Sequence, residues 1–382
     1  MLPVTTLGQA LDPRRNSINA IRMFFALSVL FGHALPLGGY MTGMPKLFFD
    51  DEIPTYALAG FFVMSGYLIA ASRLASRSFW DYIWRRLLRM YPAWIASLLL
   101  VGVVLGPISR MIEGKSGYDW TSGIDYIVYN LGLKLIQLNI TGTLDDVPVA
   151  GVWNFSAWTL FYEFTLWVGM GLLLTILGRR YLHIGVYLGL VFFTLVKVLD
   201  RFVVTYSSSN YGAEDTAAKK IAEANASSFD SLVASFEPLA RLGIFFMAGA
   251  ILYLHRDKVK LVPAVAWACL ALCVGLGVIG WFHVFAALPF AYVVMYLGSS
   301  PRLSRVNYPD DYSYGVYIYA FPVTQILATI ALDHPMPVWV FLPLCFIVTA
   351  PLAFVSWHLL EKQAMKLKRL TKGRDAPVIG VS

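Results

Sequence analysis

The sequence predicts an all-α polytopic membrane protein, a bundle of about ten transmembrane helices with cytoplasmic N- and C-termini. The first supporting observation is composition. Of 382 residues, 58% are hydrophobic and 14% are charged, whereas soluble domains have about 25% charged residues. The second is a series of apolar runs that approach or reach the roughly 20 residues of a membrane-spanning helix. The third is the position of the Arg and Lys residues, which fall between the runs on one side, as the positive-inside rule predicts.

The apolar runs give the predicted spans in chain order. A strongly basic loop over residues 73–89 is the clearest cytoplasmic marker, and Arg14 and Arg15 put the N-terminus on the same side. Residues 109–150 are expected to form an outer loop with an amphipathic helix near its middle, around 124–138. Residues 201–236 are expected to be a second, polar outer segment. The predicted spans are approximately 18–38, 56–71, 91–108, 153–177, 182–199, 238–254, 261–279, 282–297, 312–332 and 337–359.

The rest of the sequence adds few features to this organisation. One transmembrane domain covers residues 1–370, and a basic, polar cytoplasmic tail covers residues 371–382. The first apolar run is too long for a signal peptide and lacks a small-residue cleavage site, so we expect it to remain as the first span. The net charge of +7 comes from the cytoplasmic loops, so no nucleic-acid partner is expected. The three cysteines lack metal-ligand spacing, so neither a metal site nor a disulfide framework is predicted.

Two ionisable residues, Arg22 and His33, lie inside the first span. Steps of about 100° per residue bring both to one face of a helix, about 16 Å apart along its axis. Ionisable groups at membrane depth normally face a bundle interior or a wet cavity. The alternative is that Arg22 extends to the cytoplasmic headgroups and His33 is a hydrogen-bonded packing residue. Because an imidazole has an ordinary pKa of about 6.5, His33 is a candidate general base.

Further candidates lie in or beside the next three spans. Arg86 and Arg89, three residues apart, share a helical face at the cytoplasmic surface and suit a phosphate ligand, although positive-inside topology also explains them. Glu163 lies about ten residues into the fourth span, where a carboxylate needs a partner or a function. Trp158 precedes it in the same aromatic stretch. The pair Ser65–Gly66 allows close backbone approach in the second span, which usually indicates helix packing.

Six motifs occur in a fixed order along the chain. They are Arg22 followed by ten residues and His33, FFVMSGYL, RRLLRMYP, WTLFYE, DYSYGVYIYAFPV from Asp311 to Val323, and LEK near the C-terminus. In this order and spacing they resemble the membrane acyltransferase-3 family over essentially the whole chain. One departure is that the chain reads Glu-Lys-Gln at this last motif, where many members have Glu-Lys-Pro.

The resemblance implies an enzyme that O-acylates polysaccharides, lipopolysaccharide, glucans or antibiotics. Each family residue carries over to a position of this chain: the essential first-helix histidine to His33, the Arg pair that handles acyl-CoA to Arg86 and Arg89, and the required carboxylate to Glu163. No permanently bound cofactor is implied, and acetyl-CoA, or another acyl-CoA, is the expected co-substrate. The implied location is the inner or plasma membrane, with the lipid bilayer and a glycan acceptor as partners.

The expected mechanism uses these residues in sequence. The CoA phosphates rest on the Arg pair, the pantetheine arm passes along the first helix, and His33 deprotonates a glycan hydroxyl. Direct attack on the thioester and an acyl-His intermediate both stay open. Glu163 orients or charge-balances either His33 or Arg22, and the sequence does not choose between them. The expected acyl-CoA-binding set is Arg22, Arg86, Arg89, Ser65 and Trp158.

A competing interpretation is an exporter or flippase of a lipid-linked sugar or small metabolite. About ten spans with buried charges also fit that class. Against it, the sequence has no pair of Gly/Pro-broken helices in matching halves. A purely structural membrane scaffold is a third interpretation, but it does not explain the ionisable residues Arg22, His33 and Glu163 inside predicted spans.

Overall fold

A computed structural model of the protein describes residues 5–11, 16–48, 51–203, 228–300, 303 and 310–368. Arg14 and Arg15, most of the polar segment 201–236 and the tail 371–382 lie outside the described residues, so the predictions for them stay predictions. Within the described ranges the chain is predominantly helical.

The helices are numbered in chain order. They are α1 (Leu7–Ala10), α2 (Ile18–Leu37), α3 (Ile53–Ala75), α4 (Phe79–Leu99), α5 (Gly106–Ile112), α6 (Trp120–Asn130), α7 (Thr159–Val203), α8 (Ser228–Leu254), α9 (Pro263–Val278), α10 (Phe282–Phe285), α11 (Ala287–Gly298), α12 (Ser313–Asp333), α13 (Val338–Ser356) and α14 (Lys362–Lys366). Short π-helical segments, Leu100–Leu105 and Trp357–Glu361, follow α4 and α13. A 3-10 turn, Phe155–Trp158, precedes α7.

Strand is confined, in the described residues, to one short antiparallel pair. It joins β1 (Lys46–Phe48) and β2 (Asp51–Glu52), with Lys46 opposite Glu52 and Phe48 opposite Asp51. The pair lies directly before α3. It therefore fixes how the chain enters a long apolar helix and contributes little else to the fold.

Membrane-spanning length and apolar composition occur together in 7 helical stretches of the described chain. Two shorter helices, α9 and α11, are also apolar. The protein is therefore an all-α membrane protein, as the composition predicts. The seven stretches are Ile18–Leu37, Ile53–Ala75, Phe79–Ile112, Phe155–Arg201, Leu232–Leu254, Ser313–Asp333 and Val338–Lys366.

The longest helix, α7, has 45 residues. At 1.5 Å per residue it would be about 68 Å long, more than twice the hydrocarbon thickness of a bilayer. Gly178 interrupts it with φ 65° and ψ 179°, a backbone conformation that side-chain-bearing residues rarely adopt. The break falls between the predicted spans 153–177 and 182–199, so α7 consists of two apolar helices joined at one glycine.

The prediction of a basic loop over residues 73–89 is wrong. Only residues 76–78 are non-helical there, between the end of α3 and the start of α4. The chain has no Gly or Pro from the start of α4 until Pro92. In addition, Arg85 donates two hydrogen bonds, of 3.0 and 2.8 Å, to Asp81 one turn earlier, and such a pair stabilises a helix. Arg86 and Arg89 therefore lie on a helix, in agreement with their predicted common face.

The chain forms two compact units. Unit 1 comprises Met1–Ile21, Lys46–Phe79 and Thr165–Asn307, and unit 2 comprises Arg22–Pro45, Trp80–Phe164 and Tyr308–Ser382.

The core of unit 1 depends on glycines in α3 and α8. A Cβ atom built at Gly66 would lie 1.9 Å from the carbonyl oxygen of Phe246, and one at Gly249 would lie 2.0 Å from that of Val63. The two backbones are therefore in direct contact, which only residues without a side chain permit. The packing interpretation of the Ser65–Gly66 pair is confirmed for the glycine.

The core of unit 2 contains buried aromatic residues whose polar atoms are satisfied. Trp94 Nε1 donates to the carbonyl of Asn130 (3.0 Å), and Trp153 Nε1 donates to Thr143 Oγ1 (2.9 Å). Both indole rings are fully buried. Trp153 is thus a packing residue.

Candidate active site

His33 lies on α2 in unit 2 and lines a small cavity, with room for about one water molecule. The residue is 8% exposed. The remaining walls come from α2, from the turn before α7 and from α12, which contribute Ser156, Tyr317, Phe321 and Thr324 among others. One buried imidazole and several hydroxyl groups therefore line a small space beside a helix of membrane-spanning length.

The hydrogen bonding of His33 fixes its tautomer. Its Nδ1 atom lies 2.8 Å from the carbonyl oxygen of Val29. A carbonyl can only accept, so Nδ1 carries the proton of the neutral ring and Nε2 keeps the lone pair. The ring of Phe321 packs edge-on against the imidazole, with 5.5 Å between centroids. The ring is thus oriented with one nitrogen available as a base.

The hydroxyl groups beside His33 already donate their protons to hydrogen bonds within the protein. Tyr317 donates to the carbonyl of Ser156, Ser156 Oγ donates to Asn154 Oδ1 (2.9 Å), and Thr324 Oγ1 donates to the carbonyl of Ala320 (2.8 Å). Each hydroxyl has one proton, so what Ser156 and Thr324 can still offer is lone pairs. A ligand that enters this cavity meets hydrogen-bond acceptors, which suits a molecule that brings hydroxyl donors.

A second feature of unit 2 is a carboxylate shared by two arginines. Arg22 Nη1 lies 3.2 Å from Asp311 Oδ2, and Arg89 forms an ion pair with the same oxygen. The other oxygen, Oδ1, accepts hydrogen bonds from the backbone N–H (3.2 Å) and the hydroxyl (2.5 Å) of Ser313. Burial alone raises the pKa of Asp311, but the charges of Arg22 and Arg89 and the Ser313 hydrogen bonds outweigh it, and the pKa falls to about 2.

A second carboxylate, that of Glu361, interacts electrostatically with Arg89. The Arg89 guanidinium lies 5.1 Å from the centroid of the Trp357 ring. Glu361 is fully buried and accepts a hydrogen bond from Ser356 Oγ (3.1 Å). Arg89 and Arg22 both interact electrostatically with Glu361. Glu361, the acidic residue of the LEK motif, therefore lies in the electrostatic environment of the two arginines.

Arg86 belongs to a group of basic side chains. It interacts electrostatically with Arg85, Arg89 and Glu163. Lys368, which follows α14, is close to the same three arginines. Burial, followed by the charges of Arg86, Arg89 and Arg85, lowers the pKa of the Lys368 ammonium to about 8. Cations gathered at such short range are a favourable environment for a phosphate group.

Six of the seven residues predicted as site residues belong to unit 2, and one belongs to unit 1. Glu163, whose partner the sequence left open, interacts electrostatically with Arg86, Tyr314 and Tyr317. Trp158 packs edge-on against Tyr162, with 5.5 Å between centroids. The unit 2 residues are Arg22, His33, Arg86, Arg89, Trp158 and Glu163.

Ser65 is the predicted site residue in unit 1. Its Oγ accepts a hydrogen bond of 3.1 Å from Trp167 Nε1. This contact supports helix packing, and a role of Ser65 in substrate binding stays a prediction. Among the described residues, no group of three or more His, Cys, Asp or Glu side chains could hold a metal ion.

Asp311, Tyr317, Glu361 and Lys368 were not predicted as site residues. A signal for Asp311 existed, because an arginine at membrane depth, Arg22, requires a counter-charge, and Asp311 lies two residues before an apolar helix. Tyr317 and Lys368 join the candidate site through contacts between distant parts of the chain, and no sequence pattern indicates such contacts.

Comparison with known proteins gives a family and two relatives. A family model described as "Acyltransferase domain" matches residues 15–358. A protein named O-acetyl transferase from Shigella phage Sf6 is 25% identical over 360 residues, which is 92% of this chain and 96% of the relative. Nodulation protein 10 from Rhizobium leguminosarum bv. viciae is 26% identical over 378 residues, which is 93% of this chain and 94% of the relative. No solved structure matches the chain.

Proposed function

Because the chain belongs to the acyltransferase family and is therefore an acyltransferase, we propose that it moves an acetyl group from cytoplasmic acetyl-CoA to a hydroxyl group of a glycan. The name of the phage relative, O-acetyl transferase, supports acetyl as the group and oxygen as the acceptor atom. The acceptor-lined cavity beside His33 supports a hydroxyl-bearing acceptor. An exporter, the competing interpretation, receives no support from either relative's name.

A single observation carries this proposal: a buried histidine on a membrane-spanning helix has a fixed tautomer and lines a cavity. Nδ1–H is held by the Val29 carbonyl, so Nε2 is the proton acceptor. A packing histidine would not need a cavity, and a metal-binding histidine would need further ligands. General-base catalysis requires a positioned lone pair, which the fixed tautomer of His33 supplies, and the acceptor hydroxyl is proposed to enter beside this ring.

The proposed chemical step is a direct acyl transfer. The acceptor hydroxyl gives its proton to His33 Nε2 while its oxygen attacks the thioester carbonyl carbon. The tetrahedral intermediate collapses, the carbon–sulfur bond breaks, and the CoA thiolate leaves. The imidazolium then returns its proton to the thiolate. The products are an O-acetyl ester and CoA with a free thiol, so atoms and charge balance.

The donor is proposed to bind through its phosphates. Arg86, Arg89 and Lys368 supply positive charge in one region, and guanidinium groups suit phosphate oxygens. Arg22 and His33 share one face of α2, about 16 Å apart, a length comparable to an extended pantetheine arm. Glu163, through its interaction with Arg86, is proposed as a positioning residue for that arginine.

The topology proposed for this reaction has ten crossings, with both termini in the cytoplasm of a multi-pass inner- or plasma-membrane protein. The seven long stretches, the division of α7 at Gly178 and the two short apolar helices α9 and α11 support ten crossings. Acetyl-CoA would then enter from the cytoplasmic side, and the glycan from the outer side.

Replacement of His33 tests the proposal. His33→Ala should lower acetyl transfer by about 100- to 10,000-fold, the usual contribution of a general base, without lowering the amount of protein in the membrane. Transfer is measured as the acetyl mass gained by surface glycans of producing cells. The matched control is His183→Ala, an exposed histidine of α7, which should transfer normally. Full transfer by His33→Ala would remove the general-base assignment.

A further inference from the structure

Helix α6 of unit 2 has a row of exposed apolar side chains that the proposed reaction does not use. Trp120, Ile124 and Val128 are 54%, 56% and 53% exposed. They follow one another at intervals of four residues, and each interval turns a helix by about 40° beyond one full turn. The three side chains therefore form one stripe along the helix, about 80° wide. We refer to these three residues as the α6 stripe.

The rest of α6 divides into a polar sector and a sector that packs against the protein. By helical rotation, Thr121 and Asp125 lie next to the stripe on one side, and neither residue is buried. Gly123, Tyr126 and Asn130 lie on the other side, and all three are buried. A helix with separate apolar and polar exposed sectors is typical of a helix that lies in the plane of a membrane interface.

The buried sector attaches α6 to one of the membrane-spanning stretches, Phe79–Ile112. A Cβ atom built at Gly123 would lie 2.9 Å from the carbonyl oxygen of Gly102, and one built at Gly102 would lie 2.8 Å from that of Gly123. At the end of α6, the carbonyl of Asn130 accepts the hydrogen bond from Trp94 Nε1. Backbone contact at one point and a hydrogen bond at another therefore hold α6 against the spanning stretch.

The position of Gly102 along this stretch gives the level of α6 in the membrane. Arg110 is the first charged residue after Arg89, and an arginine near the end of a spanning helix normally reaches the headgroups. Gly102 precedes Arg110 by eight residues, which is about 12 Å along a helix axis. Beside Gly102, Val103 and Val104 are 46% and 45% exposed. The contact thus lies below the headgroup level, within an exposed apolar surface.

We propose that α6 is an interfacial helix whose stripe contacts the acyl chains of the bilayer, while Thr121 and Asp125 face the headgroups. Two observations select lipid as the partner. The stripe continues the exposed apolar surface of a membrane-spanning stretch, and its first residue, Trp120, is of a type enriched at membrane interfaces. A stable protein partner would bury about 800 Å² of this chain, more than three half-exposed side chains supply. The proposal goes beyond the acyl-transfer reaction and does not depend on it.

Spin labels on single introduced cysteines measure this contact directly. Ile124→Cys and Val128→Cys label the stripe, and Thr121→Cys and Asp125→Cys are matched controls in the polar sector of the same helix. Each is made in a full-length chain with Cys269→Ala, because the two other native cysteines are buried. The chain is measured in vesicles of phosphatidylethanolamine and phosphatidylglycerol, so that a bilayer is present.

Two relaxation reagents distinguish lipid from water. Oxygen concentrates among acyl chains, whereas a nickel chelate stays in water. The ratio of oxygen to nickel accessibility should be several-fold higher at positions 124 and 128 than at positions 121 and 125. The depth calculated from this ratio should be about 5–10 Å below the phosphates for the stripe, the usual depth of the apolar face of an interfacial helix. Trp120→Cys replaces either stripe variant if that variant folds poorly.

Lipid contact at both stripe positions, together with water contact at both control positions, supports the proposal. Any other pattern overturns it. Equal ratios at the four positions would mean that α6 lies outside the bilayer or entirely within it. Stripe labels that neither reagent reaches would mean that protein, such as a second copy of this chain, covers the stripe in place of lipid.

Discussion

Each of the two units has buried charged residues, but they are arranged in opposite ways. In unit 2, one carboxylate oxygen of Asp311 is shared by Arg22 and Arg89. In unit 1, one ammonium group, that of Lys197, is shared by Asp200 and Glu237. The second arrangement becomes neutral once Arg241, whose Nε lies 3.6 Å from Glu237 Oε1, is counted. We refer to Lys197, Asp200, Glu237 and Arg241 as the Lys197 network. In unit 2, the four cations Arg22, Arg89, Arg86 and Lys368 exceed the three neighbouring carboxylates Asp311, Glu361 and Glu163.

This difference separates a site that attracts an ion from a network that maintains structure. Buried charges are costly unless they are paired, and a membrane raises that cost. A balanced network satisfies its own members. An arginine-rich cluster with Arg86 and Lys368 beside it retains the capacity to bind an anion. Three measurements on single variants test this difference between the two units.

The largest expected effect is on the stability of unit 1. Lys197→Met leaves Asp200 and Glu237 buried, at 7% and 5% exposure, without their shared cation. Breaking a buried pair typically costs about 3–5 kcal/mol, so the thermal unfolding midpoint in detergent should fall clearly. Lys258→Met, at an exposed position, should change stability by less than about 0.5 kcal/mol. If Lys197→Met unfolds like the unmodified chain, the network is not structural.

The next effect concerns unit 2 in acid. The pKa of Asp311 is about 2 in the folded protein, against an ordinary value of 3.8. Its ionised form therefore stabilises the fold by about 2 kcal/mol above pH 4, and this contribution disappears as the pH falls from about 4 to 2. Asp311→Asn lacks the contribution at every pH. Its unfolding midpoint should lie below that of the unmodified chain at pH 7, and the two should converge near pH 2.

Asp146→Asn, at a largely exposed loop residue (68% side-chain exposure), serves as the control for acid stability. Its unfolding midpoint should follow that of the unmodified chain over the whole pH range. A constant difference between Asp311→Asn and the unmodified chain from pH 7 to 2 would contradict the arginine-bridging role of Asp311.

The smallest effect tests phosphate recognition. Arg86→Gln should raise KM for acetyl-CoA by about tenfold, because a charge-assisted hydrogen bond contributes roughly 1.5–3 kcal/mol, while kcat changes little. KM for acetyl-pantetheine, which has no phosphate, should not change. Lys366→Gln, at an exposed position of α14, should affect neither value. An equal rise in KM for both substrates would indicate that Arg86 shapes the site without binding phosphate.

Much of the fold could be predicted from the sequence. The all-α membrane class follows from composition and apolar runs, and the break in α7 lies where the spans 153–177 and 182–199 leave a gap. The predicted bounds of individual elements differed more from the structure. The outer helix predicted around 124–138 is α6, Trp120–Asn130, which ends before Leu133, a residue with φ 66°. The prediction of a basic loop at 73–89 was wrong, because arginines placed by the positive-inside rule can also lie on a helix.

The candidate site could be predicted only in part. Arg22, His33 and Glu163 are detectable because an ionisable group in an apolar run is rare and costly. The sequence does not give their partners, because nothing in a run of letters pairs Arg22 with Asp311, at the other end of the chain. The motif DYSYGVYIYAFPV was visible, but which of its residues reaches an arginine depends on packing.

By itself, then, the sequence determined the membrane class, the resemblance to an acyltransferase family and the short set of residues with chemistry at membrane depth. These follow from local properties: hydropathy, helical spacing and residue type. Only the tertiary structure decided which carboxylate meets two arginines, how the Lys197 network is closed and that His33 lines a cavity. Charge pairing and burial depend on distances between segments that are remote in the chain, and those distances exist only after the helices pack.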